Sequence, residues 1–96
     1  MSEEWYVEAS KLLDRARNLN DKEKTVLKYF IDNVSVGTIR ALRDLRRKGI
    51  DNPELIIDKL INLGLLEKGE YSYSLSKPLR MLRARRGSTQ LNSIFI

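Results

Sequence analysis

The side chains best placed to do chemistry in this sequence are cations, and they concentrate near its C-terminal end. Lys77, Arg80, Arg83, Arg85 and Arg86 lie within residues 77–96, a segment without Asp or Glu. Residues 1–76 contain 13 basic and 13 acidic side chains, so the net charge of +5 belongs to residues 77–96. Clustered arginines attract anionic surfaces, most often nucleic acid. The alternative is a basic tail that only aids solubility.

A second basic segment lies in the middle of the chain. Its cations are Arg40, Arg43, Arg46, Arg47 and Lys48, with Asp44 as the only acid among them. These side chains are predicted to contact nucleic-acid phosphates, or equally to form a solvated helix face.

Catalysis is not expected of this composition. The chain has neither His nor Cys, which removes the commonest general base, the commonest metal ligand and the thiol nucleophile. It also lacks a glycine-rich loop that could hold phosphates. We therefore predict a protein that is not an enzyme and that has no cofactor and no metal.

The length and composition indicate one small globular domain. The chain has 96 residues, of which 42% are hydrophobic and 32% charged. Acidic residues follow Met1 where a signal peptide would be basic, and no apolar run has the length of a membrane span. We expect a cytoplasmic protein that does not enter a membrane, and the low Gln and Cys content is typical of a thermophile.

Apolar spacing predicts four helices and a hairpin. A helix over residues 3–18 precedes a second helix that Asn20 and Glu23 begin with a capping-box pattern. Residues 34–37 are predicted to form a short strand. A third helix over residues 39–48 is capped by Thr38, and a fourth begins at Asn52-Pro53 and ends at Gly64.

The face that each element turns inward is also predicted. The third helix is expected to bury Ile39, Leu42 and Leu45. The fourth is expected to carry its apolar face on Leu55, Ile56, Leu60, Ile61 and Leu63. Alternation then predicts strands over residues 65–68 and 71–76, with Tyr71, Tyr73 and Leu75 on one face.

This order of elements resembles the winged helix-turn-helix family over about residues 20–76. The segments that carry the resemblance are DKEKTVLKYF, SVGTIRALRDLRRKG, NPELIIDKLINLGLLEKG and YSYSLS. The resemblance implies a mainly helical α+β fold: helix, short strand, helix, helix and a two-stranded wing, with an extra N-terminal helix. The chain would then divide into a domain of residues 1–76 and a basic tail of residues 77–96.

In winged helices the helix before the wing often reads the major groove of DNA. Here the polar face of that helix carries Glu54, Asp58, Lys59 and Asn62. Two acids against one Lys disfavour contact with a polyanion, and no Arg is available to bind guanine. Winged helices also serve as protein-interaction modules, and this charge pattern suits that use.

The C-terminal sequence STQLNSIF resembles the interaction motif of the sliding clamp (PCNA). In that motif Leu91 takes the aliphatic position, Ile94 and Phe95 take the paired hydrophobic positions, and Ser88 stands where Gln is usual. The resemblance implies that these residues form an apolar plug. The tail after Pro78 is expected to be mobile, with a short helix over Leu79, Met81 and Leu82 as the alternative. Alternatively, the terminal apolar residues pack on the protein's own core or join two protomers.

Three functional hypotheses follow from these features. The first is a non-catalytic adaptor of DNA replication or repair, which links a winged-helix domain to the sliding clamp. Its partners would be the clamp or another replication or repair protein, with DNA as a further partner. The alternative is a winged-helix transcription regulator that binds DNA as a homodimer. A subunit of a larger assembly that contacts protein alone is a third hypothesis.

Overall fold

The order of elements along the chain agrees with the predicted order and adds one helix. The computed structural model describes residues 4–87, apart from the side chain of Trp5, and residue 91. Within these residues there are five helices and three strands, which make a mainly helical α+β fold. They are α1 (Glu4–Arg17), α2 (Asp21–Asn33), β1 (Ser35–Gly37), α3 (Thr38–Arg47), α4 (Pro53–Asn62), β2 (Leu66–Lys68), β3 (Ser72–Leu75) and α5 (Lys77–Arg86).

The three strands form one antiparallel sheet with the order β1-β3-β2. Tyr73 in the central strand lies opposite Val36 of β1 on one side and Lys68 of β2 on the other. The hairpin β2–β3 is local, whereas β1 pairs with β3 across α3 and α4. The sheet therefore joins the start of α3 to the hairpin.

The core forms around α2. Its Val26, Leu27, Phe30 and Ile31 are almost completely buried, as the spacing predicts. The Phe30 ring lies edge-on to Tyr29 at 5.1 Å and to Tyr73 at 6.4 Å between ring centroids. The predicted inward face of α1 is buried in the same cluster through Ala9, Leu12, Ala16 and the following Leu19.

The start of α2 confirms the predicted capping box. The Asn20 side chain accepts a hydrogen bond from the Glu23 N–H at 2.8 Å, and the Glu23 carboxylate accepts one from the Asn20 N–H at 3.0 Å. The caps of α3 and α4 differ from the prediction. Thr38 is the first residue of α3 and does not cap it, and the Asn52 side chain makes no capping hydrogen bond to α4.

Three residues that the spacing placed inward are exposed. Ile39 is 82% exposed, Leu55 is 69% exposed and Tyr71 is 78% exposed. At about 100° per residue, Ile39 lies far from the direction of the buried Ala41 and Leu45 on α3. Tyr71 lies before β3, so the alternation of that strand does not extend to it.

Residues 77–86 form α5, so the expectation of a mobile tail is wrong for them and the alternative of a short helix after Pro78 is confirmed. Pro78 lies in the first turn of this helix, where its fixed φ and missing N–H are tolerated. Leu79 and Leu82 are spaced by one helical turn, and both are buried in the core, where α5 packs against α1. The folded unit thus extends past the predicted boundary at residue 76.

None of the helices within the described ranges has the length and hydropathy that crossing a membrane requires.

Candidate protein and nucleic-acid interaction surfaces

The cations of the central basic segment lie on α3 and at its C-terminal cap. All five side chains, Arg40, Arg43, Arg46, Arg47 and Lys48, belong to exposed residues. Arg40, Arg43 and Arg47 are spaced by three or four residues and so lie along one side of the helix. Arg40 also lies 3.5 Å from the Asp44 carboxylate, and Arg46 lies 3.8 Å from Glu54 of α4. We refer to Arg40, Arg43 and Arg47 as the cationic stripe. The ion pairs that Arg40 and Arg46 make at the protein surface add little stability.

Asp44 lies beside this stripe on α3 and is hydrogen-bonded to Tyr29 of α2. The Tyr29 hydroxyl donates a 2.6 Å hydrogen bond to the Asp44 carboxylate. That bond, aided by the nearby arginines, lowers the pKa of Asp44 below its usual value. Burial, and then the hydrogen bond to Asp44, raise the pKa of Tyr29 to about 12. Asp44 is therefore ionised near neutral pH and offsets one of the α3 cations.

The cations of α5 mostly contact the protein itself. Arg80 donates to the Glu67 carboxylate at 3.0 Å and to the Leu75 carbonyl at 2.8 Å. Arg86 donates to the Tyr6 hydroxyl at 3.2 Å, with its guanidinium 6.0 Å from the centre of that ring. The side chains of Lys77 and Arg85 belong to exposed residues.

Arg83 makes the most structural of these contacts. Its Nε donates to the Ile31 carbonyl at 2.6 Å, and its Nη2 donates to the Asp32 carbonyl at 3.3 Å. These carbonyls belong to the last turn of α2, where no further helical N–H is available to bond them. Arg83 therefore connects α5 to the C-terminal end of α2.

Replacing Arg83 with Ala is expected to lower the free energy of unfolding by about 1–2 kcal/mol, because two carbonyls lose a charged donor. Urea unfolding followed by circular dichroism measures the change. Arg43→Ala is the matched control, since Arg43 is exposed on α3, and its effect is expected within about 0.5 kcal/mol. Equal effects for the two variants would contradict a structural role for Arg83.

A groove lies between the start of α3 and the β2–β3 hairpin, and we refer to it as the hairpin groove. Its volume is about 410 Å³, and its lining includes Thr38, Ile39, Arg40, Lys68, Glu70 and Tyr71. The Thr38 N–H donates to the Tyr71 carbonyl at 2.9 Å and connects the two walls.

The apolar spacing missed this groove because it assigned Ile39 and Tyr71 to the core. A helical projection centred on Ala41 and Leu45 would have placed Ile39 outside the buried face. No comparable local signal marks Tyr71, because its exposure depends on where β3 begins.

The residues that resemble the clamp motif are only partly described. Leu91 is completely buried in the hydrophobic core cluster, and its N–H donates to the Gly87 carbonyl at 3.2 Å. Ser88, Ile94 and Phe95 lie outside the described residues. In this structure Leu91 therefore packs on the protein's own core.

The described residues contain no group of acidic side chains placed to hold a metal ion. Their most distinctive surfaces are the cationic stripe and the apolar hairpin groove. The chain is thus a small, mainly helical α+β protein with surfaces suited to binding a macromolecule. The chain belongs to the PolB1 Binding Protein 2 family, because residues 20–81 match the profile of that family. The match covers nearly two thirds of the chain, from the cap of α2 to the middle of α5. The chain has no match among curated proteins.

Proposed function

We propose that this protein is a non-catalytic accessory subunit in DNA replication that binds the polymerase PolB1. The family match over residues 20–81 carries the proposal, because the family is named for binding PolB1. The composition supports it, since a chain without His and Cys has few groups for catalysis. Exposed apolar side chains beside the start of α3 supply a surface of the kind that protein partners cover.

We further propose that residues 20–76 adopt the winged-helix arrangement. The order helix, strand, helix, helix and hairpin supports this, as does the pairing of β1 with β3. In that arrangement α4 corresponds to the helix that often reads DNA. Its exposed face carries Glu54, Asp58 and Lys59. Two acids against one Lys disfavour contact with a polyanion and so favour a protein partner.

Nucleic-acid binding is a second candidate function, and the exposed cationic stripe on α3 supports it. Arg40, Arg43 and Arg47 lie along one side of α3 and could neutralise phosphates. Contact of this kind would hold the subunit beside the DNA on which the polymerase acts. A dimeric transcription regulator would also require such a contact with DNA.

A link to the sliding clamp through Ser88, Leu91, Ile94 and Phe95 is a further proposal. The burial of Leu91 bears directly on it, because a plug that includes Leu91 has to leave the core before it fills a pocket elsewhere. Such a step would lower the observed affinity. Polymerase binding needs no such step and is the stronger proposal.

Calorimetric titration of the full chain tests these proposals together. Separate titrations use PolB1 of the source organism, its sliding clamp, and a duplex of mixed sequence at two salt concentrations. We expect saturable binding of PolB1 at micromolar or lower Kd. Absence of binding to PolB1 would contradict the proposed function.

The other titrations separate the remaining candidates. Clamp binding that Phe95→Ala abolishes would support the clamp link. Duplex binding that weakens steeply with salt and with Arg43→Ala would support a DNA contact by α3.

A further inference from the structure

Two of the most exposed large hydrophobic side chains in the described residues face the same groove. Ile39 and Tyr71 are both more than three quarters exposed, and both line the hairpin groove. They are distant in sequence and are brought together by the pairing of β1 with β3. Exposed apolar side chains that converge on one concave surface indicate an interaction site more strongly than single exposed ones do.

The groove is built into the backbone of the fold. Gly37 at the end of β1 lies opposite Ser72 of β3, and the next residue, Thr38, donates to the Tyr71 carbonyl. The start of α3 and the beginning of β3 are thus joined by main-chain hydrogen bonds. Binding to a preformed groove costs less entropy, because fewer loops and side chains have to become ordered when the partner binds.

The charges around the groove define what the partner should carry. Arg40 and Lys68 line the groove with a single acid, Glu70, among the lining residues. Arg43 and Arg47 continue the positive charge along α3, where Asp44 offsets one of the three arginines. A segment with a bulky apolar side chain and adjacent Asp or Glu residues complements this surface in both shape and charge.

A protein segment fits these features better than nucleic acid does. The aliphatic Ile39 offers neither charge nor a hydrogen bond to a phosphate. Protein interfaces, by contrast, have apolar and aromatic side chains at their centre and charged groups at their rim. Ile39 and Tyr71 beside Arg40 and Lys68 follow that arrangement.

We propose that the hairpin groove is the surface that docks PolB1. An apolar side chain of the polymerase lies between Ile39 and Tyr71, and acidic residues next to it face Arg40 and Lys68. This inference rests on the proposed function, and it names the surface and the chemistry by which the partner is recognised.

The test compares two full-chain variants in titrations with PolB1. The double variant Ile39→Ser, Tyr71→Ser removes both apolar walls, and Leu55→Ser removes another exposed apolar side chain, which lies outside the groove. All three side chains are exposed, so both variants are expected to fold, which circular dichroism and thermal unfolding verify. We expect the double variant to bind PolB1 about tenfold more weakly or worse, and Leu55→Ser to bind within about twofold of the unaltered chain.

A charge variant tests the second part of the inference. Arg40→Glu with Lys68→Glu should weaken PolB1 binding by about tenfold or more, because acidic residues on the polymerase would then meet like charge. Unchanged affinity in this variant would overturn the proposed acidic chemistry of the partner.

The outcomes separate this inference from the proposed function. If the unaltered chain does not bind PolB1, the proposed function fails. If it binds and the double variant binds equally well, or loses no more affinity than Leu55→Ser, the docking surface lies elsewhere. If the double variant loses affinity for duplex DNA while keeping its affinity for PolB1, the groove serves nucleic acid and the inference is overturned.

Discussion

Replacing Leu91 with Ala is expected to lower the free energy of unfolding by about 2–5 kcal/mol, as for other buried leucines. Leu91 is completely buried in the same cluster as Leu79 and Leu82 of α5, and its truncation would leave a cavity. A domain of this size has a total stability of about 5–15 kcal/mol, so the loss would be a large fraction of the whole. Urea unfolding followed by circular dichroism measures it.

Leu55→Ala is the matched control for this prediction. Leu55 has the same side chain but is exposed on α4, and its truncation is expected to change stability by about 0.5 kcal/mol or less. If Leu91→Ala were as mild as the control, Leu91 would not contribute to the core. It would then be free to act in a clamp-binding plug, so the measurement also decides how the C-terminal motif should be interpreted.

Replacing Glu23 with Ala is expected to lower the free energy of unfolding by about 2 kcal/mol. One carboxylate oxygen accepts from the Asn20 N–H, and the other accepts from Lys59 Nζ at 2.6 Å. The side chain is only 9% exposed, although its partner Lys59 is 55% exposed. The estimate combines about 1 kcal/mol for the cap with about 1 kcal/mol for the charged hydrogen bond between α2 and α4.

Glu23→Gln separates the two contributions, because the amide oxygen can still accept from the Asn20 N–H. We expect this variant to lose about half as much stability as Glu23→Ala. Equal losses in the two variants would indicate that the charge of Glu23, and not its role in the cap, accounts for the effect.

The contribution of Glu23 should depend on pH. The hydrogen bond from Lys59, followed by that from Asn20, lowers the pKa of Glu23 below its ordinary value of 4.5, although burial opposes the shift. Since the folded state favours the ionised carboxylate, the stabilisation is fully present above about pH 4.5 and is lost as the pH falls through the lowered pKa. The stability difference between the unaltered chain and Glu23→Gln should therefore shrink in acid. A difference that stays constant down to low pH would contradict this account.

Local features of the sequence determined the elements from residue 4 to residue 75. The capping box at Asn20 and Glu23, the Pro53 that begins α4 and the glycine between β2 and β3 act over a few residues, so their signals are visible in the sequence. The inward faces of α1 and α2 followed from helical spacing in the same way. The resemblance of the C-terminal sequence to the clamp motif also led to the prediction of an accessory role in replication, which the family match supports.

Only the tertiary structure decided which of the remaining side chains are available to a partner. Arg80, Arg83 and Arg86 looked like a free basic tail, yet their partners lie on β2, α2 and α1, far away in the sequence. Ile39 and Tyr71 fitted apolar patterns, yet the pairing of β1 with β3 brings them together at the surface. Leu91 resembled part of a binding motif and is buried instead. Spacing along the chain indicates which residues share one face of a helix or strand. Whether that face is exposed depends on which other elements cover it, and packing between distant segments determines those contacts.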